Sequence, residues 1–326
     1  MDFNLNAVSF IAEKNFSPLD TKKTYDIMIL GGGPAGLTAA VYCIRKGMST
    51  GLIVNEVGGQ VAWTSDIENY MGYRHISGVE LIQKFKEQVL QFGIDYEEGR
   101  RIESVSTGPA KVVVLDDGRS FSSRALIIAT GKDMRRLGVP GERELTGKGV
   151  AFCSICDAPF FSGKRVVVVG GGNSALEAVH DLAPIASRVI IVQFLESLTA
   201  DRVLIDKLGS YGNIEILYEH EVTEIRGGLS VEAVEVRDRK TGKKGIISAE
   251  GVFIQIGLVP NSGFIKGVVS MNGSGEIIVD CSCNTSEAGI FAAGDVTTVP
   301  FKQIIIAGGE GAKAALSACE YVMRLA

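Results

Sequence analysis

Residues 25–36 read Tyr-Asp-Ile-Met-Ile-Leu-Gly-Gly-Gly-Pro-Ala-Gly, an apolar run that ends in a glycine turn. In the pattern G-x-G-x-x-G, the first glycine permits a tight strand-to-helix turn, the second lets a pyrophosphate approach the backbone, and the third lets helix and strand pack closely. The pyrophosphate then lies at the helix N-terminus, where free N–H groups favour an anion. The stretch therefore predicts a dinucleotide site that includes Gly31, Gly33, Pro34, Ala35 and Gly36.

A second stretch has the same plan. Residues 165–175 read Arg-Val-Val-Val-Val-Gly-Gly-Gly-Asn-Ser-Ala, with alanine in place of the third glycine. Both apolar runs are short and continuous, which is typical of parallel strands covered on both faces. We predict an α/β fold with two doubly wound, Rossmann-like, three-layer domains. The second site is predicted to contain Gly170, Gly172, Asn173, Ser174, Ala175 and Glu177.

The order of the motifs predicts that the second domain is inserted into the first. Residues 1–133 and 263–326 would form the first domain, and residues 134–262 the inserted one. Two further apolar runs, at 125–128 and 289–293, lead into glycine turns and would complete the first sheet. An alanine-rich segment predicts a final helix from Gly311 to about Met323.

Composition limits the class of protein. The 326 residues carry a net charge of −5 and are 46% hydrophobic, so we expect no nucleic-acid partner, which would require a basic surface. No apolar run is long enough to span a bilayer, and Met1 to Thr24 lacks the pattern of a secretory signal. We therefore expect a cytoplasmic protein without membrane contact. In that compartment the six cysteines are expected to be free or catalytic.

The one C-x-x-C of the chain is Cys153-Ser-Ile-Cys156, followed by Asp157. This spacing lets two sulfurs close a small ring and exchange with another disulfide. A zinc site would need a second pair or histidines at ligand spacing, and the three histidines are scattered, so no metal is expected. Asp157 is placed to transfer the proton that thiol exchange requires; the alternative is a surface aspartate that caps a turn.

The residues after each second strand bear on the nucleotide. Glu56 follows that strand in the first unit and would accept hydrogen bonds from ribose hydroxyls. In the second unit, residues 193–199 contain no basic residue to pair with a 2′-phosphate, and Glu196 would repel one. We therefore predict NADH in preference to NADPH.

Several motifs in order resemble those of bacterial thioredoxin reductases. They are residues 31–36, Gly58-Gly59-Gln60, Glu68-Asn69-Tyr70-Met71-Gly72, Ala129-Thr130-Gly131, residues 153–157, residues 170–175 and Gly294-Asp295. Residues 252–261 and 297–307 resemble still more closely the flavoprotein subunit of alkyl hydroperoxide reductase. That subunit has an additional N-terminal thioredoxin-like module, in place of which a separate small redox protein is expected here.

The resemblance implies a homodimeric enzyme that passes electrons from a nicotinamide through FAD to the Cys153–Cys156 disulfide, and then to a thioredoxin- or glutaredoxin-like protein. It implies that Cys156 faces the flavin, that Cys153 attacks the partner's disulfide, and that Asp157 is the acid–base group. The FAD residues carried over are Gly59, Gln60, Asn69, Ala129, Thr130, Gly131, Gly294, Asp295, Lys302, Gln303 and Ile304.

One segment departs from the resemblance. NADPH-using members have a His-Arg-Arg segment and a later Arg where Gln193, Phe194, Leu195 and Thr199 stand here. The NADH-preferring relatives have Glu at Gln193, whose amide is still expected to accept from a ribose hydroxyl. The alternatives are an FAD-dependent dithiol oxidase, a ferredoxin-fed thioredoxin reductase that uses no nicotinamide, and a non-enzymatic redox-sensing flavoprotein.

Overall fold

The structure, a computed structural model, describes residues 16–64 and 67–325. Expectations for residues 1–15 lie outside the described residues. The chain divides into two compact units. Unit 1 runs to Asp133 and resumes at Val259, whereas unit 2 comprises Met134–Leu258. The insertion of one unit into the other, predicted with the fold class, is therefore confirmed.

The elements of unit 1 that precede the insertion begin as alternating strands and helices. They are β1 Phe16–Pro18, β2 Thr24–Leu30, α1 Pro34–Arg45, β3 Thr50–Val54, α2 Gly78–Leu90, β4 Ile94–Glu98, β5 Ile102–Ser106, β6 Lys111–Leu115, β7 Ser120–Ile128 and β8 Lys132–Met134. The last of these crosses into unit 2.

The elements that follow belong to unit 2 until the chain returns. They are β9 Val150–Ala151, α3 Ser154–Asp157, β10 Arg165–Val169, α4 Asn173–Leu182, β11 Arg188–Val192, α5 Arg202–Lys207, β12 Ile214–Leu217, β13 His220–Gly227, β14 Val231–Asp238, β15 Lys244–Ser248, β16 Gly251–Ile254 and β17 Leu258–Pro260. Unit 1 is completed by β18 Ile290–Ala292 and α6 Ile304–Arg324.

The parallel strands of unit 1 follow the order β1-β4-β3-β2-β7, and β18 pairs with the last part of β7. β5 and β6 join the first part of β7 through antiparallel pairing. One face of the sheet packs against α1, α2 and α6. The other face packs against the β5–β6 hairpin and apolar side chains of residues 264–279. Both faces are covered, as the continuous apolar strands predict.

Unit 2 has five parallel strands in the order β12-β11-β10-β16-β9. Helices α4 and α5 cover one face. The antiparallel sheet β13-β14-β15 covers the other and forms the third layer of the unit. The predicted α/β class with Rossmann-like, three-layer units is confirmed.

The predicted start of the last helix, at Gly311, was wrong: α6 begins at Ile304. Gly308, Gly309 and Gly311 weaken the helical pattern because glycine is a poor helix former. Packing against α1 overrides that weakness. A Cβ added at Gly311 would lie only 2.8 Å from the carbonyl carbon of Ala35, so glycine is what lets the two helices approach closely.

Among residues 16–64 and 67–325, none of the helices has both the length and the hydropathy of a membrane-spanning segment.

Candidate functional site

The predicted FAD residues of unit 1 gather at one edge of its sheet. The carboxyl ends of parallel strands meet at the same edge, where ligands of α/β proteins bind. The residues that follow β2, β3, β7 and β18 there are Gly31 to Gly36, Glu56, Ala129 to Gly131, and Gly294 with Asp295. The structure thus brings together residues more than 260 positions apart in the sequence, between Gly31 and Gly294.

The first glycine turn has the shape that a pyrophosphate needs. Gly31 has a φ of 119°, and an added Cβ would lie 2.6 Å from the carbonyl carbon of Ala129. At Gly33, by contrast, an added Cβ would meet no described atom within 4 Å, so the backbone is open to a ligand. The first glycine therefore serves the turn, and the second leaves room for an anion.

Helix α1 leaves its N-terminal N–H groups for that anion. Its N-cap is Gly33, and no side chain in the described part of the chain caps it. The contrast within unit 1 is α2, where Ser77 and Glu80 form a capping box: Glu80 N–H donates to Ser77 Oγ at 3.3 Å and Ser77 N–H to Glu80 Oε2 at 3.1 Å. The N-terminus of α1 therefore fits a bound phosphate group.

The other predicted FAD residues lie around this edge. Gln60 donates to the carbonyl oxygen of Lys132. Asn69 Nδ2 donates to Gln303 Oε1 at 3.2 Å, and Gln303 is the N-cap of α6, directly before Ile304. Thr130 Oγ1 donates to the Asn261 carbonyl oxygen at 2.6 Å. Gly59 begins a short helical turn after β3.

Asp295 is a half-buried carboxylate at the end of β18. Burial raises its pKa, and the charges of Lys302 and Lys132 oppose the rise. A carboxylate that is poorly hydrated gains from hydroxyl donors. Asp295 therefore suits the ribityl or ribose hydroxyls of a dinucleotide.

Sequence reasoning included Lys302 among the FAD residues but missed Lys132 and Glu276, with which Lys302 forms a largely buried ion-pair cluster beside these residues. Lys132 pairs with Glu276, whose second oxygen accepts from Asn272 Nδ2 at 2.6 Å. Lys302 Nζ lies 3.5 Å from Glu276 and donates to the Thr297 carbonyl oxygen at 2.6 Å. Burial raises the pKa of Glu276, but the bonds from Lys132 and Asn272 outweigh it and lower the pKa below its ordinary value. The one local signal was the position of Lys132 directly after Gly131.

In unit 2 the two cysteines of the C-x-x-C form a disulfide. Their Cα atoms are 5.3 Å apart. Cys153 caps α3, and the Cys156 N–H donates to Cys153 Sγ at 3.2 Å. Asp157 is half-buried, and its N–H donates to the Cys153 carbonyl oxygen at 3.0 Å. Ser154 Oγ donates to Asp181 Oδ2 at 2.8 Å and so ties α3 to α4.

The disulfide lies at the same edge of the unit 2 sheet as the second glycine turn. Cys153 follows β9, and Gly170 follows β10. Only β16 separates these two strands, so they are about 10 Å apart. Gln255, which follows β16, donates from Nε2 to the Phe152 carbonyl oxygen at 2.9 Å and connects the two parts of this edge.

The second glycine turn repeats the geometry of the first. Gly170 has a φ of 127° and faces the Gln255 carbonyl group. Gly172 is the N-cap of α4, which likewise has no side-chain cap from residues 16–64 or 67–325. Of the remaining predicted residues, Ala175 is buried, whereas Ser174 and Glu177 are exposed on α4. The turn therefore presents a second uncapped helix N-terminus to an anion.

Two predicted side chains are engaged by the loop that follows β11. The Asn173 amide exchanges two hydrogen bonds with Asp201, each of 2.8 Å. Gln193 is buried, and its Nε2 donates to the Ser197 carbonyl oxygen at 2.7 Å while its Oε1 accepts from the Phe194 N–H at 3.1 Å. The Gln193 amide therefore orders this loop, and its contact with a ribose stays a prediction.

A cation that sequence analysis missed reaches the same loop. Arg239 Nη1 donates to the Phe194 carbonyl oxygen at 2.8 Å, and its guanidinium carbon lies 3.5 Å from the centre of the Phe194 ring. These residues are 45 positions apart, so no local pattern could reveal the contact.

Comparison with known protein families identifies relatives of this chain. The family model described as pyridine nucleotide-disulphide oxidoreductase matches residues 25–311. The F subunit of alkyl hydroperoxide reductase from Escherichia coli (strain K12) is 44% identical over 311 residues, which cover 94% of this chain and 60% of that protein. Its counterpart in Staphylococcus aureus (strain MSSA476) is 43% identical over 309 residues, 94% of this chain and 61% of that protein. The chain thus spans about three fifths of the length of these curated relatives.

Solved structures of thioredoxin reductases match over nearly their whole length. That of Streptococcus pyogenes has a TM-score of 0.88 at 38% identity, covering 92% of this chain and 99% of that one. That of Giardia duodenalis has a TM-score of 0.86 at 33% identity, with the same coverage of 92% and 99%. The chain therefore belongs to the pyridine nucleotide-disulphide oxidoreductases and, within them, resembles the low-molecular-weight thioredoxin reductases and the F subunits of alkyl hydroperoxide reductase.

Proposed function

We propose that this chain is an FAD-containing disulfide reductase that takes electrons from NADH and delivers them to a thioredoxin- or glutaredoxin-like protein. The observation that carries the proposal is the shared edge of the unit 2 sheet, where a disulfide and an uncapped glycine turn lie two strands apart. The segment after β9 holds the sulfur pair, and the turn after β10 is shaped for a dinucleotide.

The residues of unit 1 fit FAD. The N-terminus of α1 and the open backbone at Gly33 would hold the pyrophosphate, Glu56 would accept from a ribose, and Asp295 would accept from the ribityl chain. When bound, FAD supplies the chemistry that converts hydride transfer into reduction of a disulfide. The division of the chain into an FAD-binding and a nicotinamide-binding domain is part of the proposal.

The two cysteines have different tasks. Two electrons and one proton convert the disulfide to a thiolate and a thiol. The Cys156 N–H that donates to Cys153 Sγ would stabilise the thiolate at Cys153, which favours Cys153 as the group that attacks the partner. The attack forms a mixed disulfide and releases a partner thiolate, which Asp157 would protonate. The Asp157 carboxylate that remains would take the proton of the Cys156 thiol, and the Cys156 thiolate would then attack Cys153 Sγ, so that the Cys153–Cys156 bond re-forms and the partner leaves as a thiol and a thiolate.

The surroundings of the pair suit a protein substrate. Ile155, between the cysteines, is 61% exposed, which offers an apolar contact beside the reactive sulfur.

The preference for NADH rests on Glu196 and on the lack of a basic residue in 193–199. A homodimer is the assembly that the family resemblance implies, and light scattering of the holoprotein would test it.

The test is an anaerobic titration of the flavin-loaded protein with NADH and, separately, with NADPH, monitored by flavin absorbance. Flavin and disulfide together take four electrons, so full reduction should consume two equivalents of NADH. The double variant Cys153→Ser/Cys156→Ser should take one equivalent and lose disulfide reductase activity. Cys281→Ser, which removes an exposed thiol outside the pair, should still take two.

Three results would change the assignment. Bleaching by NADPH alone would overturn the predicted donor and keep the enzyme class. Reduction of the flavin by dithiols, with neither nucleotide effective, would favour the dithiol oxidase or the ferredoxin-fed enzyme. Flavin reduction without turnover of any disulfide protein would favour a redox-sensing role.

A further inference from the structure

The turn after β14 presents a layered surface to solvent. Its Arg239 lies over the ring of Phe194, with the guanidinium carbon 3.5 Å from the ring centre, a separation typical of stacking. Phe194 is 48% exposed, and Arg239 is exposed as well. A guanidinium stacked on an aromatic ring keeps most of its five N–H donors and one planar face available.

Main-chain bonds hold this pair in place. The Arg239 N–H donates to the Glu219 carbonyl oxygen at 2.8 Å, and the Glu219 N–H donates to that of Leu195 at 3.1 Å. The His220 N–H donates to the Gln193 carbonyl oxygen at 3.0 Å. The third layer of unit 2 is thereby fastened to the loop after β11, so the stacked surface is formed before any ligand arrives.

The pair lies where the adenosine half of a dinucleotide extends. Phe194 directly follows Gln193, whose amide carbon would lie 2.5 Å from a Cβ added at Gly171 in the glycine turn. In Rossmann units the pyrophosphate sits on that turn, and the adenosine reaches past the end of the second strand, here β11. Bases of every kind stack on aromatic rings and guanidinium planes.

We propose that Arg239 and Phe194 form the surface on which the adenine ring of the nicotinamide dinucleotide stacks. The inference rests on the proposed function and adds the residues that determine affinity at the adenosine end.

The local charges exclude a second role as a 2′-phosphate site. Three carboxylates, those of Glu219, Glu196 and Asp238, act on the charge of Lys240, the residue that follows Arg239. The Lys240 ammonium pairs with Glu219. A phosphate dianion would meet a surface with no surplus of positive charge. Arg239 should therefore contribute equally to the affinity for NADH and for NADPH, through the adenine that both contain.

The experiment measures binding of two adenosine fragments to the flavin-loaded protein by titration calorimetry. The fragments are 5′-AMP and 2′,5′-ADP, which differ by the 2′-phosphate. Arg239→Ala should weaken the binding of both about tenfold and by the same factor. Arg239→Lys should not restore binding, since it keeps the charge and lacks the plane. Arg237→Ala is the matched control, because Arg237 lies two residues before Arg239, on β14, and its Nε donates to Glu221 on the neighbouring strand β13 at 2.8 Å, so the variant should leave both affinities unchanged.

Phe194→Leu keeps an apolar side chain and removes the ring, so it should weaken both fragments as Arg239→Ala does. A loss confined to 2′,5′-ADP would make Arg239 a phosphate ligand and overturn the stacking proposal. Unchanged affinity for both fragments in Arg239→Ala and Phe194→Leu would also overturn it. If the unaltered protein binds neither fragment, the proposed function itself fails, and the stacking role with it. Far-UV circular dichroism and flavin content confirm that each variant is folded.

Discussion

Replacing Gly311 by alanine tests whether the close approach of α6 to α1 supports the first glycine turn. An added Cβ would lie 2.8 Å from the carbonyl carbon and 2.9 Å from the Cα of Ala35, and it would overlap the carbonyl oxygen. Non-bonded carbons approach to about 3.5 Å, so α6 must retreat by at least about 0.7 Å, the difference between 3.5 and 2.8, and by more to clear the carbonyl oxygen. Ala35 belongs to the turn, and the turn should move with it.

The energetic cost follows from the atoms involved. Overpacking costs about 1–3 kcal/mol, and we expect the upper end because a backbone carbonyl cannot rotate away as a side chain can. Alanine in a helix gains about 1 kcal/mol over glycine. The net loss in the free energy of unfolding should be about 2 kcal/mol. Gly309→Ala is the control: it lies in the same helix, and its added Cβ meets no described atom within 4 Å, so it should stabilise by up to about 1 kcal/mol.

Urea unfolding of the flavin-loaded protein at a fixed FAD concentration measures the difference, with release of flavin fluorescence as the signal from unit 1. The two alanine variants should move the midpoint in opposite directions, and Gly311→Ala should also weaken FAD binding. Equal shifts in the same direction would show that helix propensity, and not the contact with Ala35, governs both sites.

Three further outcomes are expected. Asp157→Asn should slow turnover of a disulfide protein by about a hundredfold, the lower end of the usual contribution of a general acid–base group, without slowing flavin reduction in stopped-flow measurements. Burial raises the pKa of Asp295, so the ionised carboxylate destabilises the folded apoprotein. This loss of stability is absent below the pKa of the unfolded chain, about 3.9, and grows as the pH rises. It is complete above the pKa of the folded protein. Asp295→Asn should therefore raise the melting temperature of the apoprotein at pH 7.5, lose this advantage near pH 4, and weaken FAD binding; an equal gain at both pH values would contradict the account. Iodoacetamide should alkylate exposed Cys281 rapidly in the folded oxidised protein and leave Cys283 unlabelled, because burial first, and then its bond to Glu310, raises the pKa of Cys283 to about 12; peptide mass spectrometry distinguishes the two.

Local patterns in the sequence were sufficient for the fold class and for the edge where the site forms. The valine run of β10 and the glycines after it specify a buried strand and a tight turn within a dozen residues. Parallel strands then place every such turn at one edge. The predicted membership of the disulfide oxidoreductases is confirmed for the same reason, because its motifs are short and contiguous. The individual roles of the site residues stay predictions.

Features that depend on distant contacts could not be predicted. α6 begins at Ile304 in spite of its glycines, and one of them, Gly311, lies against the backbone of Ala35, a contact that the local sequence of the helix does not show. Lys132 and Glu276 are separated by 144 positions, and either one alone looks like a surface charge. Gln193 was expected at a ribose, and the structure shows in addition that its amide orders the loop around it.

The uncapped N-termini of α1 and α4 also bear on the abundance of this protein in the cell. The N-caps of these helices are glycines, which offer no side-chain acceptor to the first N–H groups, and a bound phosphate group can accept from those groups instead. A ligand at a hundred times its dissociation constant stabilises the folded state by about 2.7 kcal/mol. Newly made chains that have not yet met their nucleotides would therefore be the preferred targets of proteases, so the supply of flavin would set the abundance of the enzyme as well as its activity.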